Sequence, residues 1–209
     1  YMKINLTWQV FMMFKLLGSL ILFYSFSLHA GNIIIDEATG IAFPDEVSFN
    51  YLEKTYQLQA TGVSVRKKLF FKVYSVAHYL QKGEASKGDR FQEIMNDAHA
   101  NQLTIKWARD VDALDIQEGF EESFKNAIPA PIHSKLKSAI RTFVAMFSRS
   151  TVEGEEHVIR WVPEGIIEVF VNGKAVGKIT NPDLAKGLWS IWFGPESVVN
   201  RDDLISLMH

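Results

Sequence analysis

Arg66 lies in the longest extended-looking stretch of the chain, Thr61 to Leu80, among Val, Phe and Tyr side chains. A guanidinium stays charged at any ordinary pH and forks onto a carboxylate, a phosphate or an enolate-like oxygen. In apolar company it either reaches water at a strand end, like Lys67 and Lys68 beside it, or meets an anion. Tyr74 is the second candidate. Strand alternation puts Tyr74, Val76 and His78 on one face. A phenol there either bonds backbone inside a core or adds a hydrogen bond to the anion that Arg66 holds.

Other chemistry is harder to place. His78, His99, His133 and His157 have no metal-ligand spacing, so neither a metal nor another cofactor is expected. There is no Gly-x-Ser-x-Gly elbow and no phosphate-cradling glycine loop. The absence of Cys removes thiol nucleophiles and thiolate ligands. Glu118, Glu121 and Glu122 read as the solvated face of a helix. Trp189, Trp192 and Phe193 read as core, with pocket lining as a second use.

The elements that must carry these residues follow from periodicity. Ile33–Ile35, residues 56–65 and residues 69–80 read as strands, the last two being either a pair or one long bent strand. Residues 102–107 alternate with period two, which gives Leu103, Ile105 and Trp107 a common face. Ile116, Phe120, Phe124 and Ile128 form one helical stripe, and Leu136, Ile140, Phe143 and Phe147 a second. Pro129 and Pro131 separate them.

Residues 157–162, Ile166–Val171 and Lys174–Thr180 complete the strands, with Asn172-Gly173 as a tight hairpin turn. A helix opens at Asn181-Pro182-Asp183, with cap, first-turn proline and first-turn acid in order. It closes near Gly194-Pro195, and a short helix over 200–208 ends the chain. Strands at both ends with helices between predict an α+β fold with a large, largely antiparallel sheet.

Composition bounds the rest. The chain has 209 residues, 47% of them hydrophobic, enough for one sizeable core over residues 31–209. Residues 2–30 carry Lys3 and Lys15 as their only charges, followed by an apolar run from Leu16 to Leu28. This pattern predicts a signal peptide over residues 1–30 and a periplasmic protein. Uncleaved, the same segment would be the one membrane contact. Without it the chain holds 20 basic and 24 acidic side chains, a net of −4, which does not favour nucleic acid.

Three segments together resemble the chalcone isomerase-like family. They are the strand around Arg66 running into Phe71-Lys-Val-Tyr-Ser-Val-Ala-His-Tyr-Leu80, the Trp107 strand leading to Gly119-Phe-Glu-Glu-Ser-Phe-Lys-Asn126, and Gly173 through Gly194. The resemblance implies the chalcone isomerase fold, a large antiparallel sheet with a layer of helices on one face and a pocket between. It also implies where the plant enzymes' catalytic groups fall. Their Arg falls on Arg66, their Thr on Tyr74 and their helical Tyr near Phe120. Their Asn falls on Asn126 or Ala127, and their last-helix hydroxyl on Ile191 beside Ser190.

Losing those hydroxyls removes the groups that hold the substrate ketone, so flavonoid cyclisation is not expected. Relatives that bind fatty acids keep the Arg and add a Tyr. Arg66 with Tyr74, and with Asn126 as a further contact, therefore implies a non-enzymatic binder of a small apolar carboxylate. The alternative is an intramolecular lyase or isomerase acting on a non-flavonoid substrate.

Overall fold

The structure, a computed structural model, describes residues 32–83 and 89–208. The predicted signal peptide lies outside the described residues. Gly31–His209 form one compact unit. A short antiparallel pair, β1 (Ile33–Ile35) and β2 (Ala42–Pro44), precedes seven strands. These are β3 (Glu46–Tyr51), β4 (Lys54–Lys68), β5 (Phe71–Gln81), β6 (Asn101–Trp107), β7 (Glu156–Val162), β8 (Ile166–Val171) and β9 (Lys174–Thr180). They form one sheet in chain order, each neighbour antiparallel to the next. Helix α1 (Arg90–Ile94) joins β5 to β6, α2 (Ala113–Ala127) and α3 (Ala130–Val144) join β6 to β7, and α4 (Pro182–Phe193) follows β9. Among the described residues no helix is long and apolar enough to cross a membrane.

The fold is thus α+β, as the alternation and helical stripes predict, with differences in detail. The stretch around Arg66 is two strands, β4 and β5, turning at Leu69-Phe70. Strands β2 and β3 and helix α1 were not anticipated. The expected helix over 200–208 is reduced to one 3-10 turn, Asp203–Ile205. Two glycines explain close geometry. Gly173 takes the positive φ of +74° that the β8–β9 turn demands. A Cβ at Gly62 would lie 2.0 Å from the Asp203 carbonyl oxygen, so glycine lets the chain end dock on β4.

Helices α2, α3 and α4 cover one face of the sheet over a core that includes Val76, Ile105, Phe124, Phe143, Leu188 and Trp192. Helix α4 is buried nearly all round, which its continuous apolar sequence requires. The opposite face is not bare. The sheet curls until Arg160 of β7 packs between Phe49 of β3, 4.3 Å from its ring, and Phe170 of β8, 4.4 Å away. Phe43, Tyr56, Leu58 and Tyr79 make a second core inside that curl.

Candidate functional site

Antiparallel register builds the site as a row across three strands. Arg66 of β4 pairs with Tyr74 of β5, and Tyr74 with Trp107 of β6. Directly opposed residues share a face, so all three side chains point to the helix layer. The Tyr74 and Trp107 rings meet edge to face at 5.5 Å, and Trp107 meets His157 of β7 in the same way at 5.3 Å. A register shift follows Arg66, so that Lys67 pairs with Lys72 and Lys68 with Phe71. Phe71, Val73 and Tyr74 consequently all line one cleft. This is how a bulge re-aims side chains at a site.

The cleft has a volume of about 540 Å³. Its sheet wall is Arg66, Lys68, Phe71, Val73, Tyr74, Ile105, Trp107 and His157. Ile116, Gly119 and Phe120 of α2 and Ile191 and Trp192 of α4 close it from above. Arg109, Asp110 and Asp112 enter from the segment that leads into α2, and Asp115 from its first turn.

Arg66 is half-buried, and its Nη1 donates to Ser123 Oγ at 3.3 Å. Ser123 Oγ in turn donates to the Gly119 carbonyl at 2.6 Å, which fixes the hydroxyl rotor with its lone pairs toward the guanidinium. The guanidinium carbon lies 6.0 Å from the centre of the Tyr74 ring. Trp192 Nε1 donates to the Tyr74 hydroxyl at 3.1 Å. An indole nitrogen is a donor only, so the phenolic proton stays free for a second partner.

Two further polar atoms belong to side chains of the floor. Trp107 Nε1 and His157 Nδ1 are buried without a hydrogen-bond partner among the described residues. Burial holds the His157 pKa down to about 4, so its ring is neutral near pH 7. The arrangement therefore offers a cation held by Ser123, a phenolic donor and a hollow lined by aliphatic and aromatic side chains, with Lys68, Arg109 and three aspartates also in its lining.

Of the positions singled out from sequence, Arg66 and Tyr74 meet at this cleft, and Phe120 and Ile191 line it with hydrocarbon. Asn126 does not join them: it is exposed on α2 and is not part of the cleft wall. Ser190 turns its hydroxyl back onto the Lys186 carbonyl at 2.8 Å. Ser123, Trp107 and His157 were missed as site residues. Ser123 left a signal, a serine on the apolar side of an amphipathic helix.

The site is thus a cleft between a curled antiparallel sheet and the helices that roof it, with an arginine at its wall. The chain belongs to the chalcone isomerase-like family, whose profile matches residues 35–204. A comparison with curated protein sequences finds no match. Among solved structures it is similar to a fatty-acid binding protein of Arabidopsis thaliana, with a TM-score of 0.65 and 16% identity. That match covers 83% of this chain and 96% of the plant chain. At this identity the likeness defines the fold, the chalcone isomerase-like fold expected from sequence.

Proposed function

We propose that this domain is a non-enzymatic binding protein for a small apolar carboxylate, a fatty acid being the ligand class that fits best. The observation that carries the proposal is Arg66, held by Ser123 at the wall of a cleft of about 540 Å³ that is lined mainly by apolar and aromatic side chains. That size is ordinary for a small-molecule site. A carboxylate at Arg66 would also accept the free Tyr74 proton, while Phe120, Ile105, Ile191 and Trp192 contact the tail. The name of the Arabidopsis fold relative, a fatty-acid binding protein, supports the same ligand class.

An intramolecular lyase or isomerase acting on a non-flavonoid substrate has the free Tyr74 proton on its side. Against it, the resemblance puts the plant enzymes' further hydroxyls near Phe120 and on Ile191, and neither side chain carries one. We further propose export to the periplasm, on the charge and apolar pattern of residues 2–30. N-terminal sequencing of protein from an osmotic-shock fraction checks this, with a start near Gly31 expected.

Displacement of a fluorescent fatty acid tests the ligand. A charge-assisted hydrogen-bonded pair contributes about 1.5–3 kcal/mol, so Arg66→Ala should weaken affinity by about ten- to a hundredfold. Arg66→Lys should recover only part, because an ammonium cannot fork onto a carboxylate. Equal affinity of wild type and Arg66→Ala would sink the proposal.

A further inference from the structure

The β4–β5 turn brings basic and exposed apolar side chains together. Its residues run Arg66-Lys-Lys-Leu-Phe-Phe-Lys72, four basic and none acidic, in a domain whose net charge is −4. Leu69 is 85% exposed, Phe70 98% and Phe71 58%. Scattered single apolar residues on a surface need no explanation, but three consecutive ones at a hairpin tip do.

Three features make this tip hard to explain as an ordinary turn. Leu69 sits at a φ of +55°, where Gly or Asn would be at ease and a bulky apolar residue is strained. Lys67 and Lys72 face each other in register, a like-charge cross-strand pair that is destabilising unless an anion lies nearby. Lys72 relieves part of this by donating to the Ala38 carbonyl. Arg109 lies 4.9 Å from the centre of the Phe71 ring and adds a further cation. Three acids line the cleft: Asp110 accepts from Glu153 N at 2.8 Å, Asp112 accepts from Ser150 Oγ at 3.3 Å, and Asp115 is exposed on α2.

We propose that this turn docks the domain on an anionic phospholipid bilayer. Leu69 and Phe70 enter the boundary between headgroups and acyl chains, and Lys67, Lys68, Lys72 and Arg109 contact the headgroups. Apolar insertion and electrostatic attraction are the two terms that bind peripheral segments to anionic lipid, and this turn supplies both. Lys68, Leu69 and Phe71 also line the cleft, so docking sets the cleft mouth against the lipid. The docking stands without any particular ligand. Its use for loading an apolar carboxylate straight from the bilayer rests on the function proposed above.

Flotation with vesicles tests the proposal. The protein is residues 31–209, which form a compact unit of their own. The probes are vesicles of phosphatidylcholine alone and with about one third phosphatidylglycerol. Wild type should float with the anionic vesicles and far less with the neutral ones, and added salt should release it. Leu69→Asn with Phe70→Ser should lower partition by about tenfold or more. Lys67→Gln and Lys68→Gln should lower it by about fivefold each.

Leu52→Ser is the control. Leu52 is equally exposed and also at positive φ, but it lies at the other end of β4 beside Glu53, so its loss should change nothing. All these side chains are exposed, and unchanged melting temperatures would verify folding. Wild type that ignores both vesicles, or a Leu69→Asn/Phe70→Ser variant that floats like wild type, overturns the proposal. Binding only to another protein overturns it as well. Phe70→Ser alone and Lys67→Gln, both at residues outside the cleft lining, should keep their fatty-acid affinity in solution, so failure of docking and failure of ligand binding are read separately.

Discussion

Ser123 shows how a small side chain decides what Arg66 can do. Without it the guanidinium could swing along the cleft wall or out to water; with it, Nη1 is pinned at 3.3 Å and the rest of the fork is left for a ligand. Ser123→Ala removes the pin without stranding a buried group, because the Gly119 carbonyl keeps its helical partner. A hydrogen bond from a charged donor contributes about 1.5 kcal/mol at the weak end that a 3.3 Å contact represents, so ligand affinity should fall about tenfold with little change in melting temperature. Titration with a fluorescent fatty acid beside a thermal melt checks both, and unchanged affinity would show that Ser123 does not preorganise the site. Arg66 and Tyr74 were legible in the sequence because a charged fork and a phenol in an apolar strand are locally conspicuous. Trp107 and His157 were not. They become neighbours only when β6 pairs with β7 across the whole α2–α3 excursion, which places His157 opposite Ile105. Asn126 failed on helical phase: six residues after Phe120 is about 240° around the axis, off the cleft side, whereas Ser123 is only about 60° off it.

At the scale of elements, β4 does two jobs that depend on its irregularities. Its far end carries Arg66 to the cleft, and its middle receives the chain terminus. Thr61 accepts from Leu207 N at 2.9 Å through its carbonyl, and its hydroxyl donates to the Leu204 carbonyl at 2.6 Å. Gly62 sits beneath this contact, and a Cβ there would meet backbone of Asp203 and Leu204. Backbone cannot swing aside as a flexible side chain would, so Gly62→Ala should cost about 3 kcal/mol, near the top of the usual overpacking range. Urea unfolding measures the loss, and limited proteolysis should cut first after Phe193. A variant as stable as wild type would mean the terminus is only loosely laid on β4. The sequence displays Asn172-Gly173 because turn chemistry announces that hairpin. The β3–β4 and β4–β5 turns carry Leu52 and Leu69 at positive φ instead, with no Gly or Asn to mark them. That is why β3 went unseen, even though Val47, Phe49 and Tyr51 alternate as a strand should, and why one long bent strand stayed open for residues 56–80.

For the molecule as a whole, the curled sheet buries two imidazoles. His78 lies in the helix-side core, with Nδ1 2.7 Å from Thr61 Oγ1 and Nε2 3.1 Å from the Asn101 side-chain amide. Burial lowers its pKa to about 3, the Asn101 bond opposing this only in part. His157, between Trp107 and Phe147, is lowered to about 4, again chiefly by burial, with Arg149 adding to this and Glu155 opposing it. An unfolded chain would take up both protons near pH 6.5. Between that pH and about 4 the unfolded state therefore binds more protons than the fold, so stability is full above pH 6.5 and drains away as pH falls. Over this window each histidine should cost about 2 kcal/mol between pH 7.5 and 5. Glu155 acts at lower pH. The Arg149 hydrogen bond holds its pKa down to about 2, so its contribution is present above its ordinary value of 4.5 and is lost as pH falls toward 2. Urea unfolding at pH 7.5, 6 and 5 should show a steady decline in stability, and His157→Phe should remove about half of it while leaving the neutral-pH fold intact. A profile flat from pH 7.5 to 5 would mean that both rings reach water or an acid in solution, and that the cleft floor is wetter than its packing implies.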